Sequence, residues 1–282
     1  MKKSLIAISL LGVLVTSPAL AAPPPAPPWG NWSGLINNWS GFYIGLNAGG
    51  ASGANTTDSF SGNAATDPFF AANEFPTRLL PDPVGLFGGA QVGYNSQLND
   101  WFIGGVEADI QGGRISGIGT ETPTPVFFVP FMTSIAQQSN WFGTVRVRAG
   151  YTPWQNLLIY ATGGLAYGEV ETSFNAIATG FTLDTCPLNF TCTTGSSSSV
   201  RAGWTAGAGF ELMLDPHWSI KAEYLYVDLG SLSATATPAP AGVPLPAYRF
   251  TGTAQFQENI VRAGVNWHFN WLAPEAPPIV TK

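Results

Sequence analysis

Eight segments of this chain alternate apolar residues with polar or small ones. The connections between them run long, short, long, short, long, short, long. A strand points successive side chains to opposite faces, so a period of two lets one face meet an apolar medium while the other meets a polar one. Repeated eight times with alternating connection lengths, the pattern predicts an all-β protein, an eight-stranded antiparallel up-and-down transmembrane barrel. It would carry four long extracellular loops and short periplasmic turns. Closure is what allows a sheet to cross a bilayer with its backbone groups hydrogen-bonded.

The first strand runs from Phe42 to Gly50, with Phe42, Ile44, Leu46 and Ala48 on one face and Tyr43, Gly45, Asn47 and Gly49 on the other. In the second, about Leu86 to Gln97, the apolar face is Leu86, Ala90, Val92 and Tyr94 and the polar face Gln91, Asn95 and Gln97. The third sets Phe102, Val106, Ala108 and Ile110 against Glu107, Asp109 and Gln111. The fourth sets Val145, Val147 and Tyr151 against Thr144, Arg146 and Arg148. The fifth opposes Leu157, Ile159 and Leu165 to Tyr160 and Thr162. The sixth opposes Trp204 and Phe210 to Thr205 and Glu211. The seventh opposes Trp218, Ile220 and Tyr224 to Lys221 and Glu223, and the eighth Val261, Val265 and Trp267 to Arg262, Asn266 and His268. On the apolar face, aromatics collect at both ends. Tyr94, Phe102, Tyr151, Trp218 and Trp267 lie near the short turns, and Trp141, Tyr167, Trp204 and Tyr226 near the long loops. A soluble sandwich has no reason to do this, whereas a membrane barrel places aromatic girdles at both interfaces.

The long connections are expected at Ala51–Gly85, Gly112–Asn140, Glu171–Ser199 and Gly230–Glu258. Within the second, Thr122 to Phe131 is the most apolar stretch, suited either to packing against the other loops or to contact with a partner.

Composition agrees with a membrane sheet. Only 10% of residues are charged, against about a quarter in ordinary soluble domains, while there are 33 glycines and 13% aromatics. The formal net charge is -6 and no basic patch stands out, which argues against a nucleic-acid partner. Residues 1–21 read as a signal peptide: Lys2 and Lys3, an apolar run from Leu5 to Val15, then Ala19-Leu20-Ala21 as the cleavage site. A Pro-rich lead-in follows over 22–38, then the barrel over 39–269 and a Pro-rich periplasmic extension over 270–282. The only cysteines, Cys186 and Cys192, are expected to form a disulfide within the third long loop of an exported chain. Two sulfurs with no nearby histidine are too few for a metal site.

The strand phase turns eight charges inward: Glu107, Asp109, Glu211 and Glu223 against Arg146, Arg148, Lys221 and Arg262. The interior of eight strands is narrow enough for side chains to fill, and unpaired charge there is costly. The set reads either as a salt-bridge network that closes the lumen or as a narrow charged pore or proton path. Glycines at Gly45, Gly89, Gly93, Gly150, Gly164, Gly207 and Gly264 fall on the same face and make room for these long side chains. Catalysis is not expected. The two histidines, His217 and His268, fall at the short-turn end and read as structural residues of the interface. No cofactor is expected.

Several segments resemble the small outer-membrane β-barrel family of α-proteobacteria, the RopB-type surface antigens related to opacity-type porins. They include Trp39-Ser-Gly-Phe-Tyr-Ile-Gly, Gly88-Gly-Ala-Gln-Val-Gly-Tyr-Asn, Gly105-Val-Glu-Ala-Asp-Ile-Gln-Gly and Gly143-Thr-Val-Arg-Val-Arg-Ala-Gly-Tyr. Lys221-Ala-Glu-Tyr-Leu-Tyr-Val-Asp-Leu-Gly and Val261-Arg-Ala-Gly-Val-Asn-Trp-His-Phe belong to the same set. They cover the strands and not the loops. The resemblance implies an abundant surface antigen that supports the cell envelope, with a narrow porin or a surface adhesin as alternatives. It implies outer-membrane lipids, lipopolysaccharide and the barrel-assembly machinery as partners. It also implies that Phe269 is the closing aromatic residue read as an assembly signal, although here the chain continues beyond it.

Overall fold

The computed structural model describes residues 39–54, 57–124, 131–178, 193–238 and 245–269. The segments expected as a signal peptide, a lead-in up to residue 38 and an extension after Phe269, together with both cysteines, lie outside the described residues. Eight long strands form the barrel: β1 Gly41–Gly53, β4 Val84–Gln97, β5 Phe102–Glu121, β6 Phe131–Trp154, β7 Leu157–Ala178, β8 Thr193–Met213, β9 Trp218–Ala236 and β10 Phe250–Phe269. Two short strands, β2 (Asp58–Gly62) and β3 (Arg78–Leu79), lie in the first connection. Each long strand pairs antiparallel with the next around the ring, and β1 closes it on β10 through Phe42↔Phe269 to Gly53↔Glu258. The register sets inward charges of opposite sign directly across from each other on neighbouring strands. Glu107 pairs with Arg146, Arg262 with Glu223, and Glu211 with Lys221.

A belt of outward apolar residues rings the barrel, including Leu46 at 70% exposure, Val106 at 54%, Val147 at 65% and Val261 at 65%. So much contiguous apolar surface is unusual on a soluble monomer and is what lipid contact demands. Aromatic contacts mark its two rims. Phe42–Tyr94, Trp101–Tyr151 and Trp218–Trp267 lie at the short-turn end, and Trp141–Tyr167 and Trp204–Tyr226 at the other.

Three of the four expected long loops are largely strand. β5 and β6 run through most of 112–140, β7 and β8 into 171–199, and β9 and β10 into 230–258. Beyond the upper rim the alternation continues with its polarity inverted. Ser134, Ser173 and Ser196 face out, while Phe131, Ile135 and Phe174 are buried. Outside lipid the outer face meets water, so the apolar residues turn inward. The inversion is one of residue type, since β7 keeps a single inward phase from Thr162 through Ala166 and Val170 to Phe174; in β6 a bulge also shifts the phase. In β6 the inward residues pass from Phe131 and Ile135 to Phe142 and Arg146 across an irregularity between Ser139 and Trp141.

The first connection is folded onto this extension. β2 lengthens the wall by pairing with β10, β3 pairs with β2, and the short helix α1 (Asp67–Ala71) lies between them in sequence. Phe60 stacks on Phe250 at 5.8 Å and meets Phe174 at 5.2 Å, and Phe75 stacks on Phe131 at 4.4 Å. These rings form the centre of an apolar core above the rim. Phe131, the last residue of the apolar stretch in the second connection, is therefore packed inside; residues 125–130 lie outside the described residues.

One lumen glycine tests how tightly the interior is fitted. A Cβ on Gly93 would overlap the Tyr43 ring, whereas one on Gly112 meets nothing within 4 Å. Gly93→Ala should lower the stability of the refolded barrel by about 1–3 kcal/mol through overpacking, and Gly112→Ala should leave it nearly unchanged. Urea unfolding followed by tryptophan fluorescence measures both.

Candidate functional site in the barrel lumen

The eight charges selected by strand phase meet in one buried network. Arg146, on β6, binds Glu107 on β5, with Asp109 at 3.0 Å and Glu223 on β9 at 2.8 Å. Arg262 reaches across from β10 to Glu223 at 2.7 Å and Asp109 at 2.9 Å. Lys221 contacts Glu107 at 2.9 Å, and Arg148 joins Glu211 at 2.8 Å to Glu107 at 3.3 Å. All eight are 5% exposed or less. Four carboxylates face four cations, so the group is neutral as a whole. That neutrality is the condition under which so many charges can share a low-dielectric interior.

Neutral groups extend the network toward the short-turn end. Tyr43 Oη donates to Glu107 at 2.7 Å and accepts from Arg148 at 2.7 Å. The Arg148 guanidinium lies 3.9 Å from the centre of the Tyr160 ring. Thr144 donates to Asp109, and Asn266 and Ser219 both donate to Glu211. Tyr43 falls on the lumen phase of β1, and that phase was the available signal.

Below the network Trp39 closes the lumen. It is 1% exposed, its Nε1 donates to the Gln155 carbonyl at 3.1 Å, and it packs with Ile103, Leu158, Tyr160 and Met213. His268 is a buried lumen residue beside Trp39 and Tyr43, not an interfacial one, because its strand position continues the inward phase of Arg262 and Asn266. His217, in the adjoining turn, stacks on Trp267 at 5.0 Å. Ser219 Oγ lies 2.8 Å from His268 Nε2, but it also donates to Glu211 at 2.5 Å, and Glu211 faces that same ring nitrogen at 3.3 Å. The carboxylate thus holds the serine proton instead of orienting the histidine from its far side, the reverse of what nucleophilic activation needs.

Above the rim, the Asp58 carboxylate anchors the first connection. It accepts from Gln137 Nε2 at 2.6 and 2.7 Å and from the Gln255 amide at 3.0 Å. Burial pushes its pKa up to about 6, partly opposed by those hydrogen bonds.

A closed ring of eight strands with a lipid-facing belt, two aromatic rims and a charged interior defines a membrane-spanning β-barrel. The chain belongs to the family described as Outer membrane protein beta-barrel domain, whose profile matches residues 8–269; it is a protein of the bacterial outer membrane. It is 36% identical over 241 residues to the 31 kDa outer-membrane immunogenic protein of Brucella melitensis, covering 81% of this chain and 88% of the relative. It is 28% identical over 196 residues to the 22 kDa outer membrane protein of Rhizobium leguminosarum bv. viciae, covering 69% and 66%. Among solved structures, OprG of Pseudomonas aeruginosa aligns with a TM-score of 0.49 at 13% identity, over 83% of this chain and 100% of that one.

Two outcomes follow from this geometry. Arg146→Ala leaves Glu107, Asp109 and Glu223 short of a cation and should cost about 3–5 kcal/mol in urea unfolding. Glu121→Ala, on the exposed end of β5, should stay within about 0.5 kcal/mol. For Asp58, the folded-state pKa is raised above the ordinary carboxylate value. The folded form therefore binds the extra proton between about pH 4 and pH 6, and stability falls as pH rises through that window. Corrected hydrogen exchange at the Ser59 and Phe60 amides should be slower at pH 5 than at pH 7, by on the order of tenfold after discounting for solvent screening. Asp58→Asn should abolish the difference.

Proposed function

We propose that this chain is a sealed, non-catalytic structural barrel that supports the outer membrane and presents its β-rich extension as a surface antigen. The observation that carries the reading is the neutral eight-charge network, which fills the lumen at mid-membrane with the Trp39 floor beneath it. A conducting pore needs a continuous aqueous path, and fixed ion pairs in a narrow eight-stranded interior leave little room for one. The name of the Brucella relative, an immunogenic protein of the outer membrane, supports the antigen reading.

In this reading the short turns face the periplasm and the extended strands face outward, the usual arrangement of outer-membrane barrels. The apolar belt contacts outer-membrane lipid, including lipopolysaccharide in the outer leaflet. Phe269, which ends β10 and pairs with Phe42 across the closure, is the residue offered to the assembly machinery.

Planar-bilayer recording of the refolded protein tests the seal. Wild type should show no steady channel, and Arg146→Ala should show measurable conductance. A large, steady wild-type current unchanged in the mutant would favour a porin. Sidedness has its own test in a Cys186→Ser, Cys192→Ser background. A cysteine in place of Ser196 should react with a membrane-impermeant maleimide on intact cells, and one in place of Asn99 should not; the opposite pattern would invert the topology.

A further inference from the structure

The barrel wall is not hydrogen-bonded along its whole height. β8 pairs with β7 up to Ala176↔Thr193, and β9 pairs with β10 up to Phe250↔Ala236. The β8–β9 ladder, however, stops at Trp204↔Asp228. Above that pair no described strand bonds the facing edges, Thr193–Gly203 on β8 and Leu229–Ala236 on β9.

The split is built locally. At Leu229-Gly230 the β9 chain carries one residue more than β10, and Gly230 has φ +75°, a conformation that favours glycine. The bulge turns β9 and switches its inward phase from Leu229 to Leu232 and Ala234. Gly203, the first residue of β8 above the ladder, has no room for a Cβ against the Asp228 carbonyl.

Burial falls just above the split and returns at Thr193 and Gly195 near the far end of β8. Thr205 and Glu211, on the lumen phase of β8 below it, are 2% and 0% exposed. Ser197, Ser199 and Arg201, on the same phase above it, are only half-buried. Among the described residues, one side-chain hydrogen bond spans the seam: Arg201 Nη2 donates to the Ser231 carbonyl on the free edge of β9. No carboxylate pairs with Arg201 among the described residues, so its hold on β9 is this neutral hydrogen bond. Behind the seam lie Val170, Phe174, Val227, Leu229, Leu232 and Ala234, all part of the apolar core. At its foot stand the outward rings of Trp204 and Tyr226.

We propose that the β8–β9 seam is a lateral gate, latched by Arg201, through which small apolar molecules pass between the surroundings of the upper barrel and the Phe-rich interior. A missing ladder removes the interactions that would hold the two strands together, and a single hydrogen bond is a weak replacement for them. The core behind the seam offers apolar side chains, so it accepts uncharged apolar molecules. The ion network beneath closes the route toward the short-turn end, so a molecule in the upper core does not leave through the floor of the barrel. The gate lies above the ion network and needs no conduction through the lumen, so its test is separate from the test of the seal.

The experiment measures access to buried thiols in refolded, full-length protein lacking Cys186 and Cys192. Ala234→Cys places a small thiol behind the seam, and Ile115→Cys places one in the same core on β5, away from it. The probes are N-phenylmaleimide, which is neutral and apolar, and a disulfonated stilbene maleimide. N-phenylmaleimide should modify the Ala234→Cys protein measurably and the Ile115→Cys protein at least tenfold more slowly, and the sulfonated reagent should modify neither. Adding Arg201→Ala should raise the rate in the Ala234→Cys protein at least tenfold, without changing the rate in the Ile115→Cys protein or the urea midpoint. A short bismaleimide bridging cysteines placed at Arg201 and Ser231 should abolish the reaction behind the seam. Equal rates at the two thiols, equal rates with the two reagents, or no effect of Arg201→Ala would each overturn the gate.

Discussion

The neutral cluster of four carboxylates and four cations is the constraint on which the rest of the barrel depends. Each strand that faces the lumen at mid-membrane must supply either a member of the cluster or the space for one. β5, β6, β8, β9 and β10 supply the charges; Gly93 yields to Tyr43, and Gly105 to the Arg148 stem. Because each charge touches partners on other strands, the cluster also fixes register. A one-residue slip would carry a whole strand's charges into lipid and its apolar set into the lumen. Burying ions is no general route to stability. What this cluster supplies is an interior that only one pairing of the strands can satisfy.

The two ends of the lumen follow different chemistry. At the short-turn end, Trp39 enters just before β1 and forms an apolar floor with residues of β5, β7 and β8. At the other end the wall outgrows the membrane, and the polarity of its faces inverts at the rim. The result is a membrane barrel with an ion-paired centre, surmounted by an extension with an ordinary apolar core. The first connection completes that core by lending Phe60 and Phe75, and Asp58 ties the segment to β6 and β10.

Much of the membrane-level structure was legible in the sequence, because lipid enforces a strict rule on every outward position. The strands around Val106, Val147 and Val265 announce themselves, and the charges opposite them are inward by elimination. The extension was not legible for the same reason. Segments such as Ser134–Asn140 and Ser196–Ser199 look like polar loops when apolar-outward alternation is the criterion. Their inward partners, Ile135 and Phe174, make sense only once the strands are known to leave the membrane. Tyr43 was on the inward face by alternation, but only the fold shows its hydroxyl between Glu107 and Arg148; Trp39 precedes β1, where alternation gives no signal. The foreshortened β8–β9 ladder depends on a bulge and on Gly230, and a single glycine among 33 carries no such message.

The central claim is that Arg146 and Arg262 are locked in ion pairs without exchanging water. Proton-detected solid-state NMR of the protein in lipid bilayers measures this directly, by recording guanidinium Nη–H exchange and correlations to carboxylate carbons. The account predicts slowly exchanging Nη protons on both arginines, correlated with the carboxylate carbons of Glu107, Asp109 and Glu223. Rapid exchange with bulk water and no such correlations would mean a hydrated, open lumen and would contradict it.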